Sequence, residues 1–263
     1  MKIKEEKVKY KKTNNFWKIN FGTLISFLGL ILIITSFLYA KILGLGAIEI
    51  IYYINLIGML LLYIGIVLHF VIIGNRPFFK SWNYLKNLKS YFLIILFLFI
   101  SITLFGFFFP YFFKDQIIKL ITEILEKTQD LNTLELISFI IFNNIKSAFF
   151  GMIFGVFFGI MSLSVAIINA YVLGFVVKET VAIEGFPILF RLLPHGIFEI
   201  PAVIISLALG LRLGMFLFIY KGKNKAKEFL TWLKDSIKVF VFIIIPLLVI
   251  AGIIEGILII LLE

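Results

Sequence analysis

Residues Tyr91-Phe-Leu-Ile-Ile-Leu-Phe-Leu-Phe-Ile100 decide the fold class. The run carries no charge and does not alternate polar with apolar positions, as the strands of a membrane barrel do. It continues apolar to Phe113, long enough to cross a hydrocarbon core of about 30 Å as a helix. Stretches of the same kind occupy 20–40, 47–73 and 239–262, and a longer one fills 137–220. The chain of 263 residues is 62% hydrophobic and 15% charged, whereas soluble domains hold about 45–50% apolar and about 25% charged residues. A soluble fold of this size has no interior large enough for so much Ile, Leu and Phe. The reading is an all-α, polytopic helical membrane protein.

Charge distribution orders the crossings, because cytoplasmic loops collect Lys and Arg. The tail 1–18, the link 74–90 and the segment 221–238 together hold 17 basic and 4 acidic residues. All three are expected on the cytoplasmic side. The segments 41–49, 114–136 and 178–193, with Glu263, hold 6 basic and 9 acidic residues, which suits the outside. An odd number of crossings must then separate 114–136 from 221–238. Three fit, at roughly 143–160, 163–178 and 194–220, for about seven transmembrane helices with the N-terminus cytoplasmic. A re-entrant hairpin near Pro194 is the rival arrangement. The charged first 18 residues and the long first apolar stretch do not resemble a cleavable signal peptide.

The chain divides into a basic cytoplasmic tail (1–18), an N-terminal two-span hairpin (19–73), a basic interfacial linker (74–90) and a five-span core (91–263). The linker has Lys and Arg to face anionic lipid headgroups and Trp82 and Tyr84 to sit at the interface. In 114–136, Ile117, Ile118, Ile121, Ile124 and Leu125 recur at helical spacing with acids between them, an amphipathic helix. The run Phe107-Phe-Phe-Pro-Tyr-Phe-Phe113 reads as an aromatic belt at the membrane surface. Gly151, Gly155 and Gly159, Gly210 and Gly214, and Gly252 and Gly256 lie one turn apart. That spacing lets helix backbones approach closely, within the bundle or between copies of a homo-oligomer.

Four formal charges fall within the spans: Lys146, Glu199, Arg212 and Glu255. Ionisable groups at such depth usually face protein or water. His195 and Glu199 are four residues apart, hence on one helical face. The topology gathers His195, Glu199, Glu255, Asn143, Asn144 and Lys146 in one outer layer, with Asn169 near mid-membrane and Arg212 within snorkelling reach of the cytoplasm. Pro194 suits a first helical turn. Gly196 leaves room for a close approach, and Pro201 frees the carbonyl of Ile197. Three readings of the layer compete. It is structural glue, with Lys146 paired to Glu199 or Glu255; or a proton or cation site of a transporter; or a metal or catalytic site. His and Glu at i, i+4 match metal-ligand spacing, but two ligands are few and no zinc-protease motif accompanies them. No metal or cofactor is expected.

Other chemistries find no support. There is no cysteine, which excludes disulfides and thiol catalysis. No phosphate loop, dinucleotide fingerprint or nucleophile elbow is present. No span contains an aspartate, and His195 has no evident serine partner, so intramembrane proteolysis is not expected. The net charge of +10 is distributed as membrane topology requires, and nucleic acid is not an expected partner.

The string Leu193-Pro-His-Gly-Ile-Phe-Glu-Ile-Pro-Ala202, followed by Gly210-Leu-Arg-Leu-Gly214, resembles the signature of the stage II sporulation protein M family. Asn143-Asn144-Ile-Lys146, Asn169-Ala-Tyr-Val-Leu-Gly174 and Ile254-Glu255 resemble its other landmarks. The family usually has Asn-Gly where this chain has Asn169-Ala170. The resemblance covers about residues 91–263 and implies a multi-pass membrane protein without a catalytic residue. The founding member acts in endospore-forming bacteria as a membrane scaffold that recruits cell-wall hydrolases, a role that relatives in non-sporulating organisms cannot share. The leading expectation is therefore a non-enzymatic organiser of membrane or cell-envelope partners. The alternative is a transporter or channel for a proton, cation or small solute that uses His195, Glu199 and Glu255.

Overall fold

A computed structural model describes residues 21–43, 48–73, 77–86 and 88–262. The basic tail 1–18 lies outside the described residues. The chain divides into two compact units, residues 1–73 and 74–263.

In the first unit, α1 (Phe21–Leu43) and α2 (Ile48–Ile73) pack together. Gly22 lies against the backbone of His69, Gly29 against Gly58 and Leu62, and Gly65 against Ser26, an antiparallel register with glycines seven residues apart on both helices. Thr23 Oγ1 and His69 Nδ1 are 2.8 Å apart, so His69 is satisfied inside the hairpin.

The second unit contains α3 (Pro77–Lys86), α4 (Lys89–Phe108), α5 (Lys114–Thr128), α6 (Thr133–Ile153), α7 (Ile160–Glu184), α8 (Leu189–Gly214), the short α9 (Phe216–Ile219), α10 (Lys225–Val239) and α11 (Ile245–Leu262). Five stretches are long and apolar enough to cross a membrane: Lys89–Phe108, Thr133–Val156, Ile160–Glu184, Leu192–Gly214 and Lys225–Ile259. No strand occurs among the described residues.

Helix α8 is the axis of this unit and packs on α4, α6, α7 and α11. Its stretch from Ser206 to Leu211 is buried on every side, the mark of a helix surrounded by others. Helices α6 and α8 run parallel along a seam of small residues. The glycine at 155 faces the backbone of Gly210, and Gly214 faces the backbone of Gly155 and Gly159. Two hydroxyls tie the seam to main chain: Ser206 Oγ donates to Ala148 O at 2.6 Å, and Ser162 Oγ donates to Gly151 O at 2.8 Å. A second seam joins α4 to α7, where Gly106 meets the backbone of Tyr171 and Gly174 that of Thr103. There Tyr171 OH donates to Phe109 O at 2.6 Å. A third joins α6 to α11 through Gly252 on Ile141 and Gly256 on Ile137. The glycines thus serve packing inside the bundle.

Several boundaries differ from the sequence reading, each for a local reason. Helix α6 begins at Thr133, about ten residues before the expected crossing, because Asn132 and Glu135 form a capping box. The reciprocal bonds are Glu135 N to Asn132 Oδ1 at 3.1 Å and Asn132 N to a Glu135 carboxylate oxygen at 2.9 Å. Pro194 is not in the first turn; α8 starts at Leu189, so both Pro194 and Pro201 lie inside it. The helix continues unbroken to Gly214, where a re-entrant hairpin would need a reversal. Most of the lysine-rich segment 221–238 is helical too: α10 runs through a π-helical turn (Phe240–Ile244) straight into α11. At the turn between α6 and α7, Phe158 and Gly159 both take positive φ, 55° and 73°, which lets two membrane-length helices reverse within a few residues.

Candidate functional site

His195 and Glu199 stand on one face of α8, a turn apart, and Glu255 reaches them from α11. One ligand atom from each residue lies within 4.8 Å of the others. All three side chains are half-buried. His195 Nδ1 is shut off from solvent and has no hydrogen-bond partner. Among the described residues no Lys or Arg forms an ion pair with either carboxylate. Two carboxyl groups and an imidazole thus converge where apolar helices surround them. Bringing like charges together at such a place is costly unless protons or a cation neutralise them.

The remaining polar residues do not join this trio. Lys146 is exposed and does not pair with Glu199 or Glu255, which corrects the expected ion pair. One reason is helix phase. Ala148, Gly151 and Met152 turn their face of α6 into the core, and Lys146, two residues from Ala148, points the other way. Asn143 is exposed and Asn144 half-buried. Asn169 is exposed on α7, where its Nδ2 donates to Val165 O of its own helix at 2.8 Å. Gly196 admits no close approach from the rest of the chain; a Cβ there would meet only Ile200 Cδ1 at 3.7 Å.

Arg212 occupies a separate site at the opposite end of α8, about 20 Å from Glu199 by helical rise. Its guanidinium lies 4.4 Å from the ring centroid of Tyr84 on α3 and 4.3 Å from that of Trp232 on α10. Two aromatic faces thus hold the cation. Trp232 Nε1 donates to Glu228 Oε1 at 3.1 Å, fixing the indole. Burial pushes the Tyr84 phenol up from its ordinary value, against a weaker downward pull from Arg212. The sandwich was not legible in sequence, because its three members lie on helices far apart in the chain. The basic, aromatic character of 74–90 and 221–238 was the available signal.

An apolar pocket of about 310 Å³ lies elsewhere, between α5 and α7, lined by Phe113, Ile117, Leu120, Ile168 and Tyr171 among others. None of the polar trio lines it.

The architecture defines a class: a bundle of membrane-length helices closed by small-residue seams, with a His-Glu-Glu trio between two of them. The chain matches the Stage II sporulation protein M family over residues 94–258, and it belongs to that family. The matched segment contains the trio, the three small-residue seams and Arg212. The chain is also 36% identical, over 137 residues, to uncharacterised protein MJ0706 of Methanocaldococcus jannaschii, a match covering 51% of this chain and 60% of that relative. The chain therefore spans less than two thirds of that relative's length. No solved structure matches. Family and helices together fit a membrane protein.

Proposed function

We propose that this is a multi-pass protein of the cell membrane that crosses it seven times, with the N-terminus cytoplasmic, and acts as a non-enzymatic scaffold for other membrane or envelope proteins. In this topology α5 lies on the outer face, and α3 and α10 lie on the cytoplasmic face among anionic headgroups.

The observation that most supports a scaffold is the locked seam of α6, α7 and α8. Backbones touch at Gly155, Gly210 and Gly214, and Ser162 and Ser206 bond directly to main-chain carbonyls. Alternating access needs one bundle to rock against another, and a seam of close backbone contacts tied by hydroxyl–carbonyl bonds resists that motion. A transporter reading is favoured by one specific feature, the convergence of His195, Glu199 and Glu255 without a basic partner among the described residues.

Proteoliposomes loaded with pH- and cation-sensitive dyes separate the two. A scaffold gives no flux above protein-free vesicles. Flux that disappears in Glu199→Gln overturns the scaffold in favour of transport.

A further inference from the structure

The polar trio has a composition that neither a scaffold nor a sealed helix packing requires. From α8 come an imidazole and a carboxylate at i, i+4; from α11 comes a second carboxylate; all three donors converge within 4.8 Å. We propose that His195, Glu199 and Glu255 form a binding site for a divalent first-row transition ion, zinc being the best match, that pins α8 to α11.

Charge balance is the first argument. Two glutamates supply two negative charges and a neutral imidazole supplies none, so a divalent cation brings the site to formal neutrality. Neutrality is what a group of ions needs where hydrocarbon surrounds it. Lys146, the cation of the expected layer, faces away, and no Lys or Arg pairs with the carboxylates among the described residues.

The second argument is independent of the carboxylates. His195 Nδ1 is inaccessible and without a partner, and buried polar atoms normally have one. Coordination through Nδ1 satisfies that atom. Zinc accepts imidazole nitrogen and carboxylate oxygen at about 2.0–2.2 Å, usually with four ligands. Three protein donors then leave one position for water or a ligand. Donors as far apart as 4.8 Å must close by roughly 1 Å to share such an ion. Side-chain rotation suffices for that, since all three side chains are only half-buried.

The sequence places Glu255 in the same outer layer as the two α8 residues; the fold brings it within reach of them.

The test uses the full-length protein in detergent, freed of any affinity tag, stripped with chelator and dialysed against Zn²⁺ or Co²⁺. Retention of about one ion per chain after gel filtration, with a rise in Tm on metal addition, is the expected result. His195→Gln, Glu199→Gln and Glu255→Gln should each weaken retention more than about tenfold, while Asn169→Ala retains the ion. Wild-type protein that keeps no Zn²⁺ or Co²⁺ overturns the proposal, whatever the variants do. So does retention that survives the three substitutions combined. The result is independent of vesicle flux, so this proposal and the scaffold reading fail separately.

Discussion

At Gly155 an added Cβ would run into the backbone of Gly210 and the hydroxyl of Ser162, whereas at Gly196 it would meet only Ile200 Cδ1 at 3.7 Å. The same substitution therefore has opposite consequences a few turns apart in the bundle. Gly155→Ala overpacks a seam whose neighbours are main chain and cannot give way, and should cost about 1–3 kcal/mol. Gly196→Ala gains helix propensity without a clash and should stabilise by up to about 1 kcal/mol. Thermal unfolding in detergent, followed by circular dichroism, checks both; equal effects would refute the seam. The sequence singles out both glycines, Gly155 by its spacing and Gly196 by its place in the Pro-His-Gly string. Only the packing tells a contact glycine from an open one. Asn169 makes the same point. An amide in an apolar helix invites a functional reading, yet it bonds to Val165 O on an exposed face. Lys146 and Glu199, both charges within predicted spans, are separated by helix phase and by register, since Ser206 meets Ala148 and leaves Glu199 level with α6 more than a turn before Lys146.

Among the elements, α5 departs furthest from the spans around it. Its acids and lysines alternate with Ile117, Ile118, Ile121 and Ile124, too polar to cross a membrane and patterned to lie along one. One side docks on α7 through Ile117, which is 5% exposed against Tyr171 and Phe175. Ile118, Ile124 and Leu125 remain exposed. Replacing Ile117 by Ala removes the central contact and should cost about 2–5 kcal/mol. The loss should stay local: amide exchange accelerates over 114–128, while α4 and α7 keep their protection. Acceleration throughout the bundle would show α5 to be part of the core. Helix α8 carries two interior prolines, each removing a backbone hydrogen bond. It persists because four neighbouring helices enclose it. Its start at Leu189 rather than at Pro194 could not be read from proline preference, since tertiary packing overrides that preference.

On the scale of the whole molecule, the absence of cysteine makes the topology directly measurable. Single cysteines introduced at Gly222 and at Gln129 should react with an impermeant maleimide from opposite sides of sealed vesicles. Gly222 should label from the cytoplasmic side and Gln129 from the outside. Labelling of both from one side would break the seven-span order between α5 and α10.

Long hydrophobic runs and their lack of polar–apolar alternation were enough to determine an all-helical, membrane-length architecture. Each is a local or additive property of the chain, and transfer into a bilayer responds to such sums. The signature around Pro194 to Ala202 was enough to indicate the family, because it is contiguous. Which polar residues meet is another matter. His195 and Glu199 share a face by helical period alone. Glu255 joins them, and Arg212 finds Tyr84 and Trp232, only through the docking of helices distant in sequence. That docking is a relation between pairs of surfaces that no single segment contains. Through it, the tertiary structure separates the expected outer layer into a converged trio and residues that stay apart from it, and gives Arg212, outside that layer, its two aromatic partners.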